Sequence, residues 1–219
     1  MLEIKDLQFN YEKDQDLLRN ISFTANNGDI IWLKGSNGSG KSTLLRIIAQ
    51  LIDTEIEIYL DGKLIINREE LLSNLIYIPS EPYLFDYLTG EENAKFIQQL
   101  FNISHEDFNG FFFKMIEKFN METALKQPVQ EYSLGMRHKL YWSAFFARKS
   151  SSIILLDEPF SSLDSDAQKI AKNILIDHAK KGSIIIFVSH LPEICKQIAT
   201  RCFLLEHGKI KETELSAIQ

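Results

Sequence analysis

Ile30-Ile31-Trp32-Leu33-Lys34-Gly35-Ser36-Asn37-Gly38-Ser39-Gly40-Lys41-Ser42-Thr43 is the stretch that decides the fold. A continuous apolar run, too short for a helix, enters a glycine-rich turn. Beyond it Leu44, Leu45, Ile47 and Ile48 recur at helical spacing as far as Gln50. Strand, glycine loop and helix in that order are the context in which Gly-x-x-x-x-Gly-Lys-Ser reads as a P-loop. Glycines let successive backbone N–H groups turn inward around phosphate oxygens, and the N-terminus of the following helix adds partial positive charge. Gly35, Ser36, Asn37, Gly38, Ser39, Gly40, Lys41, Ser42 and Thr43 are therefore the expected cradle for nucleotide phosphates. Lys41 is expected to bridge the β- and γ-phosphates and Ser42 to place its hydroxyl on Mg²⁺. Chance yields the pattern in only about one chain in a hundred of this length.

Downstream, Ile153-Ile154-Leu155-Leu156-Asp157-Glu158 is an apolar strand ending in two carboxylates. Such a strand delivers its last residue to the sheet edge where open α/β sheets bind ligands. Asp157 is thus a candidate Mg²⁺ ligand and Glu158 a candidate for polarising an attacking water. Alone, two acids after a strand are more often a helix N-terminal charge bias; paired with the P-loop, the catalytic reading prevails.

Between and around these motifs, two-residue alternation through Leu2, Ile4, Leu7, Phe9, Ile21 and Phe23 predicts a small antiparallel region. Ile56 to Ile66 predicts a hairpin around Asp61-Gly62. Apolar strands are expected at 75–78, 184–188 and 202–205, with helices at roughly 165–181 and 191–199. Alternating buried strands and helices imply a parallel sheet covered on both faces. From about Gly90 to Ala147 the pattern is helical and aromatic, including Phe111-Phe112-Phe113, which reads as the core of an inserted helical lobe.

Composition bounds the function. The 219 residues are 45% hydrophobic and 25% charged, with net charge -6. That balance fits a globular chain and argues against nucleic acid as a partner. No apolar run of about 18 residues occurs and the first residues lack a signal-peptide core, so the expected compartment is the cytoplasm. Cys195 and Cys202 form no zinc-ligand spacing and read as buried reduced thiols.

Gly35 to Thr43, Tyr132-Ser133-Leu134-Gly135-Met136 and Leu155-Leu156-Asp157-Glu158-Pro159 occur in the order and spacing of the ABC ATPase family, which the chain resembles over essentially its whole length. The resemblance implies an α/β fold. Its P-loop NTPase (RecA-like) core would carry an N-terminal antiparallel β region and an inserted α-helical subdomain. As one ABC ATPase domain, 1–219, it would have an ATP-binding core of 1–80 and 148–219 and a helical subdomain of 81–147. Tyr132 to Met136 corresponds to the family's signature motif, usually Leu-Ser-Gly-Gly-Gln. Its Ser133 and Gly135 would contact the γ-phosphate held by an opposite subunit. Ser133 also precedes a helical stretch, where a serine is commonly an N-cap. Tyr11 lies where the family has an aromatic that stacks on adenine, and His190 where it has a switch histidine at γ-phosphate. Ser162-Leu163-Asp164 resembles the loop that crosses between subunits. His105, His138, His178 and His207 read as surface or packing residues.

The implied function is an ATP-binding and ATP-hydrolysing subunit that powers an ABC transporter by ATP-driven closure of two cassettes, a homodimer in the simplest case. It would sit at the inner face of the membrane through a membrane-spanning partner. Tyr-Ser-x-Gly-Met is similar to signatures of ABC-2-like exporters and points to export. One departure stands out: the family commonly has glutamine where this chain has Ser80, in Pro79-Ser80-Glu81-Pro82. The alternatives are a switch cassette with little hydrolysis, which Ser80 favours, and a non-transport soluble ABC ATPase.

Overall fold

The computed structural model describes residues 1–11, 17–148 and 151–215. Strand β1 (Leu2–Phe9) pairs antiparallel with β2 (Leu18–Ala25) on one side and with β4 (Glu57–Leu60) on the other. β5 (Lys63–Leu64) adds the edge, in the order β2-β1-β4-β5. The two-residue period is the cause, since Leu2 and Ile4 of β1 meet Ala25 and Ile58 on one buried face.

The second sheet is formed by β3 (Ile30–Lys34), β6 (Leu75–Ile78), β7 (Ile153–Asp157), β8 (Ile184–Val188), β9 (Arg201–Glu206) and β10 (Lys209–Thr213). Their order is β10-β9-β3-β8-β7-β6, with every pairing parallel except the antiparallel β9–β10 hairpin. Alternate side chains of these strands go to opposite cores. Trp32, Ile78, Leu156 and Phe187 pack with the helical segment and with α6 (Ser165–Lys180) and α7 (Pro192–Ile198). Leu33, Tyr77, Leu155 and Ile186 pack against α1 (Lys41–Ile48) and the antiparallel sheet. Strands buried on both faces are why the sequence shows continuous apolar runs here.

A short helix, α2 (Arg68–Ser73), precedes β6, and the chain between β6 and β7 carries α3 (Gly90–Leu100), α4 (His105–Lys118) and α5 (Leu134–Phe145), with single 3₁₀ turns at Ala124–Lys126 and Val129–Glu131. A capping box at Thr89 and Glu92 starts α3, and Ser104 and Ser133 cap α4 and α5. Phe112, Met115, Trp142 and Phe146 join these helices into the core shared with the sheet.

Three details differ from the pattern read in the sequence. α2 (Arg68–Ser73) has one buried residue, Leu71, and so shows no apolar period. β10 is an edge strand of charged and half-exposed residues, which hides its alternation. Of the three consecutive phenylalanines only Phe112 is core; Phe111 is half-buried and Phe113 is 47% exposed. Neighbours on a helix diverge by about 100°, so one face cannot bury three in a row. Cys195 and Cys202 are free and fully buried, and burial pushes the Cys195 thiol up to about 12. Among the described residues no helix is long and apolar enough to cross a membrane.

Candidate functional site

The P-loop leaves β3 and turns into α1 at Gly40, whose φ of 100° is open to glycine and strained for other residues. No side chain caps α1 and no acid occupies its first turn. Its leading N–H groups are therefore available to an anion. Lys41 is buried, and its Nζ donates to the carbonyls of Gly35 (2.9 Å) and Ser36 (2.8 Å), leaving the third ammonium proton for a phosphate oxygen. Burial lowers the Lys41 pKa, while Glu158 and Asp157 pull it back up.

Across the loop stands the end of β7. Ser42 Oγ donates to Asp157 Oδ1 at 2.9 Å. Asp157 is 2% exposed, and burial raises its pKa against the opposing effects of Ser42, Arg46 and Lys41. Glu158 is held in a left-handed conformation (φ 51°), with its N–H on the Val188 carbonyl at 3.0 Å. Such a backbone is uncommon for glutamate and turns the side chain back over β8. There Oε2 accepts the His190 backbone N–H at 3.2 Å and Oε1 lies 3.4 Å from His190 Nε2. Burial raises the Glu158 pKa, opposed by the His190 N–H.

Tyr11 is 65% exposed, stands edge-on to Phe9 with ring centroids 4.9 Å apart, and its hydroxyl is 3.2 Å from Thr43 Oγ1. Tyr11, Asn37, Gly38, Gly40, Lys41, Ser42, Thr43, Asp157, Glu158 and His190 line one cavity of about 430 Å³. Ser36 and Ser39 line its neighbour, and Gly35 turns its carbonyl to Lys41. Ser133 and Gly135 line neither cavity. They sit at the N-terminus of α5, where exposed Ser133 accepts the Met136 N–H at 3.2 Å. A Cβ on Gly135 would stand 2.5 Å from the Ser162 carbonyl oxygen, so close packing on that loop requires glycine there. Asp164 caps α6 through Ala167 N–H at 2.9 Å and meets Lys139 Nζ at 2.6 Å.

Ser80 presents its main chain, since His138 Nε2 donates to its carbonyl at 3.0 Å. Two residues gain a role that the sequence does not give them: Arg46, beside Asp157, and His138, which reads as a surface or packing residue and is indeed buried, but also holds Ser80. Arg46 is four residues after Ser42, hence on the same face of α1, and its charge favours the Asp157 carboxylate. That spacing was the available signal; for His138 there was none, because its partner lies 58 positions away.

A second, larger cavity of about 980 Å³ opens between the helices and the core, lined among others by Tyr77, Tyr83, Phe101, Tyr141, Phe145 and Arg148. Tyr83, which lines it, is 64% exposed, and Phe85 and Tyr87, two and four residues further along the chain, are 51% and 87% exposed.

For a divalent cation, the described residues hold no group of three or more His, Cys, Asp or Glu side chains. The Ser42 hydroxyl and Asp157 carboxylate are hard oxygen donors side by side, a pair that fits Mg²⁺ taking its other ligands from phosphate and water.

Residues 18–161 match the model of a family described as ABC transporter. The ABC-type transporter ATP-binding protein EcsA of Bacillus subtilis (strain 168) is 31% identical over 96% of this chain and 85% of its own length. The teichoic acids export ATP-binding protein TagH of Staphylococcus saprophyticus is 30% identical, over 95% of this chain and 76% of its own. A solved structure described as the ATP binding subunit of an ABC transporter superposes with a TM-score of 0.89 at 24% identity, covering 99% of this chain and 91% of that one.

Proposed function

Because this chain belongs to the ABC transporter family, among its ATP-binding subunits, we propose that it hydrolyses MgATP between two cassettes to drive a membrane-spanning partner, in the direction of export. The observation that carries the reading is a division of labour. Lys41, Ser42, Asp157, Glu158 and His190 share one cavity, while Ser133 and Gly135 lie outside its lining, at the N-terminus of α5. A second chain, docked head to tail, brings Ser133 and Gly135 to the phosphate that Lys41 holds.

Within each site the P-loop N–H groups and Lys41 bind and orient the phosphates, and Tyr11 offers its ring to the adenine. Ser42 and Asp157 would hold Mg²⁺, which neutralises phosphate charge when bound. Glu158 orients the attacking water; its raised proton affinity suits it to accept the water's proton, and His190 faces the γ-phosphate. Residues 1–80 and 148–219 act as the ATP-binding core and 81–147 as the helical subdomain. The 980 Å³ groove and its exposed aromatics suit an apolar segment of the membrane partner, which would keep the chain at the inner face of the membrane. TagH, a relative named as an export protein, supports the direction.

Mg²⁺-dependent ATP hydrolysis over a series of protein concentrations, beside Glu158→Gln, tests this. Turnover that rises with concentration and falls at least a hundredfold in the variant is expected, with an ATP-held dimer gained. Nucleotide binding with no turnover, unchanged by Glu158→Gln, would instead favour the switch cassette to which Ser80 points.

A further inference from the structure

Three consecutive residues of α5 reach three different segments. Arg137 pairs with Asp86 at 2.6 Å, His138 Nε2 donates to the Ser80 carbonyl at 3.0 Å, and Lys139 pairs with Asp164 at 2.6 Å. Successive helical residues diverge by about 100°, which is how one turn serves three directions. Two of these ties are surface ion pairs, with Asp86 and Asp164 more than half exposed, so solvent weakens them. His138 is different, being fully buried. A carbonyl only accepts, so the imidazole carries its proton on Nε2. Nδ1 is then a lone pair, buried with no protein partner. Protonating it would strand a charge, and burial duly lowers the His138 pKa.

Helix α5 does not need this bond to form, because Ser133 caps its N-terminus and Leu140 and Trp142 supply its apolar contact. What the bond adds is long-range. Ser80 opens the segment that carries exposed Tyr83, Phe85 and Tyr87, and His138 stands just over one turn from Ser133. We infer that His138 is a positioning residue: through the Ser80 carbonyl it holds the loop after β6 and the Ser133 end of α5 as one body. Displacement of that loop by a bound partner is thereby delivered to the residue that faces the second cassette. Position 80 thus works through its main chain, and the short side chain of serine is no defect. The inference rests on the ATPase reading above.

The test uses the full chain with His138→Leu, which removes the donor, and His138→Gln, whose amide can still reach the carbonyl. ATP binding is measured at low protein concentration, where the P-loop acts alone. ATP-dependent dimer yield is measured in the Glu158→Gln background. His138→Leu is expected to keep ATP affinity while the ATP concentration for half-maximal dimer rises roughly tenfold, the worth of one buried hydrogen bond. His138→Gln is expected to recover most of that loss. Should His138→Leu fail to fold, His138→Asn, whose amide is a methylene short, takes its place with the same expectation. Dimer formation by the donor-less variant at wild-type ATP concentrations, or a glutamine no better than leucine, overturns the inference. A parent chain that binds no ATP overturns the ATPase reading as well, and the binding arm reveals that first.

Discussion

Glu158 and His178 show how burial sets chemistry one residue at a time. At Glu158 burial and a left-handed backbone aim a proton-loving carboxylate at His190. His178 does no chemistry in the reading above, yet burial against Phe146 and beside Lys181 lowers its pKa to about 4, with Asp177 opposing. The folded pKa is below that of an unfolded histidine, so between pH 6.5 and 4 the unfolded chain binds more protons and gains stability at the expense of the fold. The contribution of neutral His178 is complete above about pH 6.5 and is lost as pH falls toward 4. Urea midpoints across that window should therefore fall with acid. In His178→Phe the fall should be shallower by about 1–3 kcal/mol at its low end. An unchanged slope would mean that the ring is hydrated in the fold.

At the scale of elements, the N-terminus of α5 shows what spacing reveals and what it conceals. The P-loop, the β7 carboxylates and the signature segment stand out in the sequence because each candidate set lies within a few consecutive residues. Sheet partners follow the same logic, since runs such as Ile184–Val188 can only be buried on both faces. Interactions between distant segments are less legible: Arg46 announces itself only by its spacing from Ser42, not by its effect on Asp157, and Ser80 with His138 has no local pattern. So are α2 and β10, whose exposed faces erase the periodicity on which a reading depends. At Gly135 the family resemblance implies a phosphate contact, and the fold shows a separate need for glycine, the close approach of α5 to the Ser162 carbonyl. Gly135→Ala should push that carbonyl or the helix aside at a cost of about 1–3 kcal/mol. Lower thermal stability together with impaired ATP-held dimerisation is the expected result. A variant as stable as its parent would show that the loop yields freely.

For the whole molecule, the governing fact is that its two sheets share a core through β3 and its neighbours, with the nucleotide cavity on one edge and the aromatic groove between the helices and the core. Arg201 ties the last strands to the first, pairing with Glu212 of β10 and Asp29 before β3 and donating to the Thr24 carbonyl of β2. Strand β3 itself, third in the chain, lies between β8 and β9. A ribosome that has made the phosphate loop must add some 150 residues before either neighbour of β3 exists. Until then Ile30 to Leu33 has open edges on both sides, a template for pairing with other chains. The nucleotide-binding half is thus expected to fold late and slowly, once β8 and β9 have been made, as large sequence separation between partners dictates. Nascent chains arrested before residue 184 should be digested through β3 by protease, whereas those released with β9 complete should resist. Protection of β3 in the shorter chains would show that the sheet assembles in another order. Synthesis, and not only nucleotide, decides when this protein can first bind a phosphate.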